Sequence, residues 1–206
     1  MVRQPAMMLV PALALLVSWA PFAQAQEGPA VRHLKKKQGE VVRLMKDEPA
    51  SPKAKETREQ ELERVISSLL DYEELSRRAL IDHWEKRKKK EREEFVSLLR
   101  QLVENSYKTN VRRTLDYSVK YEKEEPKESG VVVKTVARSR ANRRSKAVSI
   151  DYAMQNKGGA WVVYDITTDG VSLVDNYYSQ FNKIIAKEGW NGLIQRMKDR
   201  VKEETS

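Results

Sequence analysis

Apolar positions keep a helical spacing through the first half of this chain and switch to alternation in the second. Between residues 31 and 45, Val31, Leu34, Val41, Val42 and Met45 recur at the interval that lines up one face of a helix, with Gly39 interrupting the middle. Glu48-Pro49-Ala50-Ser51-Pro52 ends that pattern, since two prolines in four positions cannot continue a helix. A second helix then carries Leu62, Val65, Ile66, Leu69 and Leu70 on one side. Asp71, with Glu74 three residues on, has the spacing of a capping box and starts a third, whose inward residues are Tyr72, Leu75, Ala79 and Leu80. The almost wholly charged stretch from Glu85 to Arg92 separates it from the most strongly patterned helix, with Phe95, Leu98, Leu99, Leu102, Val103 and Tyr107 inward.

From Leu115 the period becomes two: Leu115, Tyr117, Val119 and Tyr121 alternate with Asp116, Ser118, Lys120 and Glu122, which predicts a half-buried strand. Glu124 to Gly130 reads as a turn, Val131 to Ala137 as a second strand, and Val148, Ile150, Tyr152 and Met154 as the inward positions of a third. Asn156-Lys157-Gly158-Gly159 turns the chain into a fourth strand, Trp161 to Thr168, and an antiparallel meander is the economical topology. Ser172, with Asp175 at capping distance, opens a helix carrying Leu173, Val174, Tyr177, Phe181, Ile184 and Ile185 until Gly189, and a short basic helix with Leu193, Ile194 and Met197 follows. The expected fold is α+β: several N-terminal helices packed on a twisted antiparallel sheet of about four strands, then C-terminal helices.

The N-terminal segment changes the picture. Arg3, an apolar run from Ala6 to Ala20 and the small-residue exit Ala23-Gln24-Ala25 form a secretory signal, with cleavage expected after Ala25. The run is too short for a membrane span and contains Pro11. Residues 1–25 are therefore read as the signal peptide and 26–206 as one domain. The chain has no Cys, which excludes disulfides and thiol chemistry. Its net charge of +9 would suggest nucleic acid in a cytosolic protein, whereas export leaves anionic lipid head groups or acidic protein faces as partners.

Candidate chemistry is sparse. His33 and His83 lie far apart, without a second His or any Cys at ligand spacing, so no metal site is expected, and the glycines form no nucleotide-binding pattern, so no cofactor is expected. Gly170-Val171-Ser172 does not extend to a nucleophile elbow. Asp165 interrupts an apolar strand, and pairing with a nearby Arg or a backbone donor is favoured over catalysis. No acid, base and nucleophile set can be assembled, so an enzyme is not expected. Two basic runs, Lys86 to Lys90 and Arg138 to Arg144, read either as solvated faces or as contacts for anionic head groups or an acidic partner.

The segment Trp161-Val162-Val163-Tyr164-Asp165-Ile166, followed by Asp169-Gly170-Val171-Ser172-Leu173-Val174, Asn176-Tyr177 and Ser179-Gln180-Phe181, resembles the C-terminal signature of the MlaC family. The resemblance extends upstream to Asp71-Tyr72-Glu73-Glu74-Leu75, Ala79-Leu80, Trp84, Phe95, Leu98, Leu99 and Tyr107, and downstream to Gly189 and Gly192-Leu193-Ile194. Two positions depart from it: Ile81 stands where the family often has Gly, and Tyr178 where a basic residue commonly follows the Tyr. The resemblance implies a periplasmic phospholipid carrier with an elongated apolar cavity between its layers. It further implies shuttling of lipid between an outer-membrane lipoprotein complex and an inner-membrane ABC transporter complex.

Alternation and helical face nominate Tyr107, Tyr117, Val133, Ile150, Tyr152, Val162, Tyr164, Ile166, Leu173, Tyr177 and Phe181 as cavity-wall, lipid-binding residues. A filled core would show the same periodicity. The competing reading is an exported adaptor that docks an acidic partner through its basic helices and has no cavity.

Overall fold

The computed structural model describes residues 27–205 apart from Asp47 and Arg143; the expected signal segment and its cleavage point lie outside the described residues. Four helices come first: α1 (Pro29–Lys46), α2 (Pro52–Leu69), α3 (Tyr72–Leu80) and α4 (Lys89–Thr114). Helix α1 runs straight through Gly39. A helical glycine costs only about 1 kcal/mol, and the buried face of Ala30, Val31, Leu34, Val41 and Met45 outweighs that. Ser51 caps α2 by accepting the Ala54 N–H at 3.2 Å, with Pro52 in the first helical position where its missing donor is harmless. Asp71 caps α3, accepting the Glu74 N–H at 3.2 Å.

At the end of α3 stands Ile81, with φ +23° and its side chain 57% exposed. A β-branched residue is strained in that conformation, which glycine adopts at no cost. The departure noticed at this position in the sequence is thus a backbone conformation held by the wrong residue type.

The sheet has five strands in sequential antiparallel order: β1 (Tyr117–Lys127), β2 (Gly130–Ser139), β3 (Val148–Lys157), β4 (Ala160–Thr168) and the two-residue β5 (Val171–Ser172). The first hairpin is tighter than alternation suggested. Lys127 pairs with Gly130, leaving only Glu128 and Ser129 in the loop where a turn from Glu124 was expected. Gly130 is required there: its φ is +140°, and a Cβ would lie 2.0 Å from the Met154 carbonyl oxygen. Ser172 then caps α5 (Leu173–Thr205), its hydroxyl accepting the Asp175 N–H at 3.1 Å. Gly189, at φ +70°, kinks this helix where the sequence placed its end.

Two packed regions result. Leu75, Leu80, Trp84, Phe95, Leu99, Phe181 and Leu193 join α3, α4 and α5 into a helical lobe. A second core, containing Val31, Leu34, Ile66, Val133, Met154 and Val163, seats α1 and α2 on the sheet. Asp71 links the two regions, because its carboxylate also accepts hydrogen bonds from Gln155 and Lys157 at 3.0 Å.

Candidate functional site

Bulges in two strands decide which side chains point beneath α1 and α2. In β1 the pairing with β2 shifts between Tyr121 and Lys123. Tyr117, Val119 and Tyr121 lie opposite Ser139, Ala137 and Thr135, and past the shift it is Glu124, opposite Val133, that shares their face. Glu124 there accepts the Val31 N–H at 3.0 Å, supplying an acceptor to one of the orphan amides at the start of α1 and fixing that helix over the sheet. In β4 the pairing with β3 shifts between Ala153 and Met154, so that Ile166 lies opposite Tyr152 while Val163 lies opposite Met154. Tyr164 is the extra residue between them.

Between α1, α2, the end of α4 and strands β1 to β4 lies a cavity of about 900 Å³. That is near the top of the range of about 300–1,000 Å³ typical of small-molecule sites. Leu34, Val41, Val42, Val65, Ile66, Leu69 and Leu70 form its helical wall, and Val119, Ala137, Val148, Ile150 and Ile166 its sheet wall. Tyr107, Tyr117, Tyr121 and Tyr152 also line it. From Leu34 to Lys46 the lined length of α1 is about 18 Å at 1.5 Å per residue. One leaflet of a bilayer has a hydrocarbon depth of about 15 Å, half its ~30 Å core.

Burial raises the phenol pKa of Tyr121 and Tyr152, and pushes that of Tyr107 up to about 12. These rings stay neutral near pH 7. Tyr121 donates its hydroxyl hydrogen to Gln38 Oε1 at 2.8 Å, so the polar tip is satisfied while the ring faces the hollow.

Of the eleven residues nominated from the sequence, the structure brings Tyr107, Tyr117, Ile150, Tyr152 and Ile166 together around this cavity. Val133 shares the inward face, opposite Tyr152, but is fully enclosed in the core beyond the hollow. Val162 and Tyr164 do not line the cavity, because the β4 bulge breaks the strict alternation that grouped them with Ile166. Tyr164 instead pairs its hydroxyl with Ser129 at 3.2 Å and lies beneath the Arg78 guanidinium, 4.2 Å from the ring centre. Leu173, Tyr177 and Phe181 belong to the helical lobe, where Phe181 meets Phe95 edge-on at 5.3 Å and stacks on Tyr177 at the same distance. Their apolar face on α5 is used up by α3 and α4. The sequence missed the wall supplied by α1 and α2, although Leu34, Val41, Val65 and Ile66 had been read as inward residues.

Asp165 and His83 have structural partners. Asp165 accepts hydrogen bonds from the Ile166 N–H at 2.8 Å, the Ser172 hydroxyl at 2.8 Å and the Val174 N–H at 3.1 Å, which ties β4 to the start of α5. His83 Nε2 lies 2.7 Å from Asn182 Oδ1. Among the described residues no cluster of three or more His, Asp or Glu is placed to hold a metal ion, and no helix is long and apolar enough to cross a membrane.

The family model described as MlaC protein matches residues 35–199, most of the chain. This chain belongs to the MlaC family. No curated protein matches its sequence. Among solved structures, a phospholipid-binding protein from Ralstonia solanacearum, in complex with a phospholipid, is similar over 87% of this chain and 100% of its own length, with a TM-score of 0.70 and 20% identity. The MlaC assignment and this likeness establish the α+β architecture expected from the sequence.

Proposed function

We propose that this MlaC-family chain is a phospholipid carrier that holds acyl chains in the hollow between α1, α2 and the sheet. The observation that carries the reading is the 900 Å³ cavity, with apolar walls on both sides and tyrosines between them. Family membership and the phospholipid held by the Ralstonia solanacearum neighbour support it. Each methylene kept from water is worth about 0.8 kcal/mol, so two long tails gain on the order of 20 kcal/mol from enclosure. An open groove does not supply that, whereas an interior deeper than a leaflet does.

The finer reading is a periplasmic protein, exported by the segment 1–25, cleaved after Ala25 and working as one domain over residues 26–206. It moves phospholipid between an outer-membrane lipoprotein complex and an inner-membrane ABC transporter complex, and is a binding protein rather than an enzyme. The unfilled interior favours this over an adaptor with a packed core. Native mass spectrometry and organic extraction of the purified mature protein test it: phospholipid in near-stoichiometric amount is expected, and repeated recovery of lipid-free protein that takes up none from vesicles would overturn it.

A further inference from the structure

The lining of the hollow is apolar in depth and cationic at the end where α1 and α4 finish. Lys46, Arg113 and Arg140 border it there, Lys37 borders it about 13 Å back along α1, and no Asp or Glu does. Lys46 ends α1, Arg113 lies in the last turn of α4, and Arg140 follows the end of β2. The start of β1 draws two of these ends together: the Arg140 N–H donates to the Asp116 carbonyl at 2.7 Å and its Nε to the Tyr117 carbonyl at 3.2 Å. Arg140 is thereby held at the rim, with its terminal guanidinium nitrogens not used in either bond.

Helix-end electrostatics do not account for this arrangement. Two helix C-termini present roughly half a negative charge each, and Arg43 and Arg112 occupy those same last turns. Lys37 and Arg140 belong to neither end. Neighbouring acids are few: Glu40 lies 3.4 Å from Lys37, Glu48 is engaged by Arg112 at 3.1 Å, and exposed Asp116 follows Arg113 by three residues. Among the described residues no carboxylate forms an ion pair with Lys46, Arg113 or Arg140.

We propose that this rim binds the phosphate of the head group and gives the carrier a preference for acidic phospholipids over zwitterionic ones. A head group with net negative charge gains from Lys46, Arg113 and Arg140 together, whereas a choline or ethanolamine brings its own cation into the same field. The proposal rests on the carrier reading and adds the substrate class. Each basic side chain near an anionic lipid surface is worth about fivefold in affinity, so a preference of roughly tenfold or more is expected at low salt, shrinking as ionic strength screens the rim.

The test is to delipidate the mature protein, incubate it with vesicles of equal phosphatidylglycerol and phosphatidylcholine carrying the same acyl chains, and identify the bound species by mass spectrometry. The wild type should take phosphatidylglycerol about tenfold over phosphatidylcholine. Arg113→Gln/Arg140→Gln should lose phosphatidylglycerol selectively, moving the ratio several-fold toward one. Should the double variant not fold, the wild-type ratio measured against salt serves instead, and must fall as salt rises. Lipid taken up in the vesicle ratio, a salt-independent preference, or a folded double variant that keeps the preference overturns the head-group proposal alone. Recovery of neither lipid overturns the carrier reading beneath it. Inorganic phosphate should leave the bound ratio unchanged at matched ionic strength; erasure of the preference would make the rim a free-anion site and overturn head-group recognition.

Discussion

Replacing Ile150 by Phe separates an open interior from a filled one by the sign of the effect. Ile150 sits on β3, paired on one side with Thr135 and on the other with Thr168, and its side chain is half-buried at the cavity wall. Its carbonyl accepts the Thr135 hydroxyl at 2.7 Å, a bond the substitution leaves alone, and Phe suits a strand as well as Ile does. Phe adds three carbons. At about 0.8 kcal/mol per buried carbon, placing them in the hollow stabilises the lipid-free protein by at most ~2.4 kcal/mol, and less where part of the ring stays exposed. In a packed core the same change is overpacking and costs about 1–3 kcal/mol. The volume filled is also taken from the lipid, so tail binding should weaken by a similar energy, roughly fiftyfold. Urea unfolding of delipidated protein, with lipid per protein measured after vesicle incubation, reads both quantities. A variant that unfolds at lower urea than wild type and retains its full lipid load would refute the open-cavity argument.

Further consequences follow from the rest of the molecule. Phe181→Ala should cost about 3–5 kcal/mol of stability, because Phe181 is buried among Phe95 and Tyr177; once folded, the variant should keep its lipid content, and loss of lipid at unchanged stability would place α5 at the cavity after all. Ile81→Gly should stabilise by about 1 kcal/mol, since it relieves the strained φ of +23° at an exposed position; a lower denaturation midpoint would show that Ile81 makes a contact worth more than its strain. Alkaline pH should destabilise the fold. Burial raises Tyr107 from 10.0 to about 12, and Tyr121 and Tyr152 shift the same way, so the folded state holds protons that the unfolded state releases. That contribution is complete below pH 10 and is lost as pH rises through 12. Phenolate absorbance titration together with unfolding midpoints on either side of pH 10 checks this, and tyrosines titrating at their ordinary value with no change in midpoint would contradict it.

The order of elements was legible because each segment has a clean period and a recognisable boundary. Pro52, Asp71 and Ser172 mark helix starts by chemistry that acts locally, and the structure uses each of them as a cap or first residue. The site was only partly legible. Tyr117, Ile150 and Tyr152 line the hollow because alternation holds without interruption where they stand. Val162 and Tyr164 fall outside it because one extra residue in β4 reverses every position beyond it, and no residue in Trp161 to Ile166 announces that irregularity. Leu173, Tyr177 and Phe181 were placed beside the sheet because a helix's apolar stripe says that it is buried and not what covers it. The rim was hidden for another reason: Lys46, Arg113 and Arg140 are far apart in sequence, and only the meeting of three element ends makes them neighbours.

The β4 irregularity lets a single strand serve two compartments. Toward Thr168 it gives Ile166 to the hollow, and at the irregularity the fully buried Tyr164 turns away from the hollow to lie beneath Arg78 of α3. Excising Tyr164 would restore regular pleating with Val163, Asp165 and Ile166 still opposite Met154, Ala153 and Tyr152. The loss would be the ring beneath Arg78 and its hydroxyl contact with Ser129, so the sheet would give up its clasp on α3 while both faces of the strand kept their direction.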